Sequence, residues 1–180
     1  QNLMAASAVA LACGVQAPII WKALPLCKTA WGRNQMVKLS CGARVIFDGY
    51  NANPESMKAL IDNVSRLSVA GKKVAVLGEM LEQGEHSEHF HEELGKQIRE
   101  AGFDLVWFVG SKHEAFKRGL GAVENKKNIY ISNGYEQKLA SEIHSMLERD
   151  DIVIIKGSRG IKLEQVLENW NPENFGPKDS

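Results

Sequence analysis

Arg44-Val45-Ile46-Phe47-Asp48-Gly49-Tyr50-Asn51-Ala52-Asn53-Pro54 runs from an apolar, β-prone segment into a crowded polar turn. Beyond it, Met57, Leu60, Ile61, Val64 and Leu67 recur at helical spacing. The stretch therefore reads as a strand entering a helix. Pro54 suits a first helical position, and Asn53 suits the cap before it. Those needs account for Asn53 and Pro54 but leave Asp48, Tyr50 and Asn51 unexplained. In open α/β sheets ligands bind where strands end and helices begin, and a strand-end carboxylate accepts hydrogen bonds from ribose hydroxyls.

The pattern repeats outward from this turn. Met36 to Leu39 and Arg44 to Phe47 are predicted strands, with Ser40-Cys41-Gly42-Ala43 as a hairpin loop between them. Helix 54–69 leads to strand Lys73–Leu77, and helix 87–101 to Leu105–Val109. Helix 112–120 leads to Ile129–Ser132, and helix 135–148 to Ile152–Ile155. A last helix spans about 160–170. Strand–helix alternation implies parallel strands with helices on both faces. Val74-Ala75-Val76-Leu77 and Ile152-Val153-Ile154-Ile155 have the continuous apolar character of strands covered on both sides. The predicted class is α/β, an open and mostly parallel sheet of six strands with one antiparallel strand.

Two further polar clusters follow predicted strands. Gly78-Glu79-Met80-Leu81-Glu82-Gln83-Gly84-Glu85-His86-Ser87 is either a solvated acidic loop with Ser87 capping the next helix, or a site for a cationic group such as an amine. Lys156-Gly157-Ser158-Arg159-Gly160 places two cations and a serine on a Gly-flanked turn at a helix start, which suits a phosphate or carboxylate. Gly110-Ser111-Lys112 is a weaker version and reads as structural. The full Gly-rich phosphate loop ending in Gly-Lys-Ser/Thr is absent from these 180 residues. His86, His89 and His91 lack the partners and geometry of a metal site. Three polar clusters at one sheet edge predict one cleft for a nucleotide or a charged small molecule.

Composition narrows the class. The chain has 180 residues, 44% hydrophobic and 24% charged, with 22 basic and 22 acidic side chains. Zero net charge and the lack of a basic run argue against a nucleic-acid scaffold. Cys13, Cys27 and Cys41 show no metal-ligand spacing, and an odd count suits reduced thiols in the cytosol. The apolar stretch Leu3–Ala12 is too short to span a bilayer and has no preceding basic residue. It reads as a buried, Ala-rich helix ending near Gly14, followed by a helix over Ile19–Cys27. The polar tail 171–180 is expected to be loosely ordered.

These motifs together resemble the Mur ligases. The family's Asp-Ser-Tyr-Asn-Ala-Asn-Pro is matched by Asp48 to Pro54, and its Leu-Gly-Asp/Glu-Met-Leu-Glu-x-Gly loop by Leu77 to Gly84. Its following Ser, His and Gly match Ser87, His91 and Gly95, and its Lys-Gly-Ser-Arg matches Lys156 to Arg159. Its Gly-Arg and His-Asn match Gly32-Arg33 and Gln1-Asn2. The resemblance implies residues 1–31 as the end of a central ATPase domain and hinge, 32–170 as the C-terminal domain, and 171–180 as a tail.

The resemblance further implies a cytoplasmic, ATP-dependent amide ligase of peptidoglycan synthesis. Its expected partners are a UDP-N-acetylmuramoyl-tripeptide and, from the loop and Lys-Gly-Ser-Arg matches, D-alanyl-D-alanine. It implies ATP contacts at Asn2, Arg33, Asp48, Tyr50, Asn51 and Asn53. Dipeptide contacts are implied at Glu79, Met80, Leu81, Glu82, Lys156, Ser158 and Arg159, with Arg159 pairing the dipeptide carboxylate. The family's phosphate loop, Mg²⁺ ligands and UDP-binding domain have no counterpart here, so these 180 residues alone are expected not to catalyse ligation. Gln1, Ala5, Trp31 and Gly49 stand where the family usually has His, Asn, Pro and Ser. Gly49 is expected to loosen its turn. Alternative readings are a non-catalytic α/β binding module, or a sister Mur or folylpolyglutamate-type ligase.

Overall fold

The computed structural model describes residues 2–27, 30–121 and 128–172; Gln1 and most of the expected polar tail lie outside the described residues. The chain divides into two compact units, Gln1–Ala30 and Trp31–Ser180. The first holds α1 (Asn2–Ala12), α2 (Ala17–Ala23) and a 3₁₀ turn at Leu24–Leu26. Pro18 sits in the first turn of α2, which starts the helix earlier than expected. The expected burial of α1 is not found. Met4 is 76% exposed and Val9 63%, and Trp21 on α2 is 71% exposed. Two helices of 11 and 7 residues are too small to bury their own apolar faces.

The second unit is the predicted open α/β sheet. In chain order it contains β1 (Gln35–Lys38), β2 (Arg44–Asp48), α3 (Pro54–Ser65), β3 (Lys73–Gly78), α4 (Ser87–Ala101) and β4 (Leu105–Val109). There follow α5 (His113–Leu120), β5 (Ile129–Ser132), α6 (Gln137–Ser145), β6 (Ile152–Lys156) and α7 (Glu164–Trp170). The spatial order is β1-β2-β6-β3-β4-β5. β1 pairs antiparallel with β2, and the other pairs are parallel.

Alternation along each strand divides the core in two. Val45, Phe47, Val74, Val76, Trp107, Val153 and Ile155 pack with Ala140 and Ile143 of α6 and Val166, Leu167 and Trp170 of α7. Ala75, Leu77, Val106, Phe108, Ile152 and Ile154 pack on the other face with α3, α4 and α5. The buried indoles are satisfied: Trp107 Nε1 donates to Ser132 Oγ and Trp170 Nε1 to the Ala140 carbonyl. With both faces covered, β3, β4 and β6 carry polar side chains only near their ends.

Two helices stop sooner than periodicity predicts, and a lysine meets each end. Lys73 Nζ donates to the Ser65 carbonyl at 2.6 Å, closing the end of α3. Neighbouring Lys72 Nζ donates to the Met146 carbonyl at 3.0 Å, just past α6 on the opposite face. A cation at a helix carboxyl end satisfies orphan carbonyls and the dipole together. Leu67, expected on the buried face of α3, lies beyond the helix and is 44% exposed. The last predicted helix is likewise split into a 3₁₀ turn at Arg159–Ile161 and α7.

Gly95 on α4 and Gly119 on α5 let these helices touch backbone to backbone. A Cβ on Gly95 would meet the Phe116 carbonyl, and one on Gly119 the Glu92 carbonyl. Gly119→Ala is therefore expected to destabilise the fold by about 1–3 kcal/mol through overpacking. Urea unfolding monitored by circular dichroism checks this, and an unchanged midpoint would contradict the contact.

Candidate functional site

The polar clusters converge because their strands are neighbours. Asp48 ends β2, Lys156 ends β6, Gly78 ends β3 and Val109 ends β4, and these four strands are consecutive in the sheet. All four parallel strands end at the same edge. A separate, open basic pocket lined by Lys38, Gly42, Arg44, Arg149 and Asp150 lies at the other edge, where β2 and β6 begin.

The turn after β2 is held from several sides. Asn53 Oδ1 accepts from Ser56 N at 2.8 Å and Ser56 Oγ accepts from Asn53 N at 3.1 Å, a reciprocal capping box with Pro54 behind it. Asn51 Oδ1 accepts from the next amide, Ala52 N. Both oxygens thus have structural work. Tyr50 N donates to the Gly32 carbonyl at 3.0 Å, which ties the Gly32-Arg33 segment to this turn. Gly49 does not loosen it. A Cβ there would lie 2.7 Å from the buried Phe47 ring, so the glycine is what lets the turn close over Phe47.

Asp48 sits at the centre. Its Oδ1 accepts from Asn34 N at 3.2 Å and its Oδ2 from Lys156 Nζ. Lys156 also donates to the Asn51 carbonyl at 2.9 Å and is 1% exposed. Lys156, grouped in the sequence with Ser158 and Arg159, turns its ammonium to the Asp48 turn, where it is buried and engaged.

Aromatic and cationic side chains gather at the same turn. The Arg33 guanidinium lies 4.3 Å from the Tyr50 ring centroid, and Arg159 lies 5.4 Å from the same ring and 5.5 Å from Trp31. Trp31 in turn packs edge-on against Phe47 at 5.6 Å. Its indole Nε1 is buried with no acceptor among the described residues. Arg33, Tyr50 and Arg159 are all exposed. Two guanidiniums sharing one exposed ring make a surface suited to anionic groups. Sequence reasoning found both arginines and Tyr50 but missed Trp31 and Asn34, whose local pattern signals only a break.

The Glu79–Gly84 loop is less open than its acidity implies. Glu79 is 8% exposed, and its carboxylate accepts from Ser111 N at 2.6 Å and from Ser111 Oγ at 2.9 Å. Met80 is 1% exposed and packs in the α3–α5 core. Ser158 is also buried; its Oγ accepts from Leu81 N at 2.9 Å, while its own amide donates to the Glu79 carbonyl at 3.2 Å. Gly78 and Gly157 permit this seam: a Cβ on Gly157 would lie 2.8 Å from the Gly78 Cα. Glu79, Met80 and Ser158 therefore have structural partners, leaving Leu81 half-buried and Glu82 and Arg159 exposed. Ser87 lies inside α4 rather than capping it. Asn2 opens α1, and its side chain lies outside the described residues.

His91 braces the loop from below. Its Nε2 accepts from Met80 N at 2.9 Å, which requires the tautomer in which Nδ1–H donates to the Ser87 carbonyl at 2.7 Å. Burial holds the imidazole below its ordinary value of 6.5, against the opposing pull of the Ser87 carbonyl and the Glu79 charge.

An open parallel sheet with charged groups gathered at its carboxyl edge is the arrangement of the α/β nucleotide- and substrate-binding class. Residues 32–159 match the family model for the Mur ligase, glutamate ligase domain, and the chain belongs to the Mur ligase family. It is 36% identical to the UDP-N-acetylmuramoyl-tripeptide–D-alanyl-D-alanine ligase of Bacillus subtilis, covering 93% of this chain and 36% of that one. The protein of the same name from Rickettsia prowazekii is 35% identical, covering 77% of this chain and 30% of that one. Among solved structures, MurF ligase from Thermotoga maritima in complex with ADP superposes with a TM-score of 0.74 at 31% identity, covering 91% of this chain and 35% of that one. MurF from Acinetobacter baumannii gives 0.77 at 29% identity, covering 94% and 36%. The chain spans about a third of the length of these relatives.

The His91 brace gives a pH dependence whose sign is fixed. The native state holds this imidazole neutral, so below pH 6.5 the unfolded chain binds more protons. Its contribution is full above pH 6.5 and is lost as the pH falls through the lower native value. Unfolding free energy measured between about pH 7.5 and about pH 5.5 should fall in the parent and fall less in His91→Gln. Equal slopes would contradict the assignment.

Proposed function

We propose that this chain is the C-terminal part of an ATP-dependent ligase that joins D-alanyl-D-alanine to a UDP-N-acetylmuramoyl-tripeptide. The observation that carries the reading is the likeness to relatives of that name along 93% of the chain, at 36% identity. Residues 1–31 belong to the end of a central ATPase domain and its hinge in this reading, and the two further domains lie outside these residues. The unburied apolar side chains of α1 and α2 fit a segment whose packing partners belong to a longer chain.

The proposed reaction is an activation followed by a displacement. ATP transfers its γ-phosphoryl group to the tripeptide carboxylate, giving an acyl phosphate and ADP. The dipeptide amine then attacks the acyl carbon, phosphate leaves with the C–O bond electrons, and the amine loses a proton. This chain supplies binding and orientation. Asp48 accepts from the ribose hydroxyls, Arg33 approaches the phosphates, and Tyr50 walls the nucleotide side with the Asn51–Asn53 turn beneath it. The exposed guanidinium of Arg159 pairs the dipeptide carboxylate, bordered by Leu81 and Glu82.

A nucleotide fits these residues: they offer a partly exposed carboxylate, an exposed ring and two guanidiniums over that ring. Mg²⁺ is assigned to residues outside this chain. Among the described residues no three His, Cys, Asp or Glu side chains group to hold a metal. A cytoplasmic setting suits a nucleotide-linked substrate and three unbridged thiols. Among the described residues no helix is long and apolar enough to cross a membrane.

With the full-length chain, phosphate release is expected to require both the UDP-tripeptide and D-alanyl-D-alanine, and the 180 residues alone should release none. Preference for a single amino acid would replace the dipeptide reading with a sister ligase. In the full-length chain, Arg159→Ala should raise the KM for the dipeptide about tenfold or more while leaving the KM for ATP nearly unchanged. An effect on ATP alone would move Arg159 to the nucleotide.

A further inference from the structure

We infer that Lys156 is a positioning residue for the nucleotide: it aims the Asp48 carboxylate and fixes the turn that carries Tyr50, and it has no direct part in holding the dipeptide. The inference rests on the proposed reading of Asp48 as the ribose acceptor.

Geometry carries it. Asp48 and Lys156 are paired in register at the carboxyl ends of adjacent parallel strands, β2 and β6. Side chains at paired positions on one sheet face lie within reach of each other. The Lys156 ammonium is buried at 1% exposure, so a substrate arriving from solvent does not meet it. Of its three donor protons, one goes to Asp48 Oδ2 and one to the Asn51 carbonyl.

The Asp48 side chain keeps 15% exposure. With Asn34 N on Oδ1 and Lys156 on Oδ2, each oxygen retains a lone pair, and the carboxylate cannot rotate without losing both partners. A carboxylate fixed in this way presents two acceptors side by side, which matches a pair of vicinal hydroxyls. A free aspartate would have to be ordered at the moment of binding, and that ordering weakens affinity. The second bond acts on the turn itself. By holding the Asn51 carbonyl, Lys156 fixes the backbone next to Tyr50, the ring on which Arg33 and Arg159 both rest.

The test uses the full-length chain with Lys156→Met, Asp48→Asn and the double variant, each checked for folding by thermal melting. Measured quantities are the KM for ATP, for 2′-deoxy-ATP, for 3′-deoxy-ATP and for the dipeptide, together with kcat. Lys156→Met is expected to raise the KM for ATP about tenfold or more and to shrink the preference for ATP over the deoxy analogues. The dipeptide KM and kcat should stay within about threefold. The two substitutions together should raise the KM for ATP by less than the product of their single effects, because the Lys156–Asp48 contact is lost in either one, and a full product would contradict the coupling. Lys156→Gln, which keeps a donor for the Asn51 carbonyl, gives a second reading where Lys156→Met does not fold. Its loss of ribose preference should be similar.

Retained ribose preference in a folded Lys156 variant, or a rise confined to the dipeptide KM, would overturn the inference. If Asp48→Asn itself leaves ribose preference intact, the underlying reading of Asp48 fails. If Asp48→Asn abolishes that preference and the Lys156 variants keep it, only the role of Lys156 fails.

Discussion

Coverage of the sheet on both faces is the constraint from which the site follows. β3, β4 and β6 are buried along their length, and Val74 to Leu77 and Ile152 to Ile155 leave no room for an unpaired polar side chain. Charged groups can enter the sheet only where its strands end and backbone turns toward solvent. Lys156 is the furthest such entry. It is nearly inaccessible, and it is tolerated because Asp48 on the next strand and the Asn51 carbonyl meet it. The chemistry of the carboxyl edge is thus a product of what the sheet interior excludes.

Much of this architecture was legible in the amino-acid sequence. Continuous apolar runs, helical periodicity and the Asn53-Pro54 start signal are local properties, and the elements they predict are present. Sheet class follows from alternation, and four neighbouring strand ends then follow from topology. What was not legible is what depends on contacts distant in sequence. The ends of α3 and α6 are capped by Lys73 and Lys72, two adjacent residues that serve opposite faces. The acidic loop reads as solvated until Ser111, 32 residues away, is seen to take the Glu79 carboxylate. Gly49 reads as permissive until the Phe47 ring is seen beneath it.

Site residues divide on the same line. Asp48, Tyr50, Arg33 and Arg159 stand out in the sequence, and the fold sets both arginines over the Tyr50 ring and Asp48 at the end of the strand that leads to it. Glu79, Met80 and Ser158 stand out equally, and the fold uses them as internal supports. Trp31 and Asn34 give no local signal, yet one packs beside Arg159 and the other binds Asp48. Residue type and spacing locate a polar loop; burial and partners decide whether its side chains face a ligand or the protein.

The seam between Gly78 and Gly157 has a consequence for recognition. Two loops from different parts of the chain are sewn together through Ser158 and tied on to Ser111 and His91. The conformational entropy of both loops is surrendered when the domain folds, so little remains to be given up when a ligand arrives. One wall of the site is therefore a finished mould, and any adjustment to a bound molecule falls to the exposed arginines, Arg33 and Arg159.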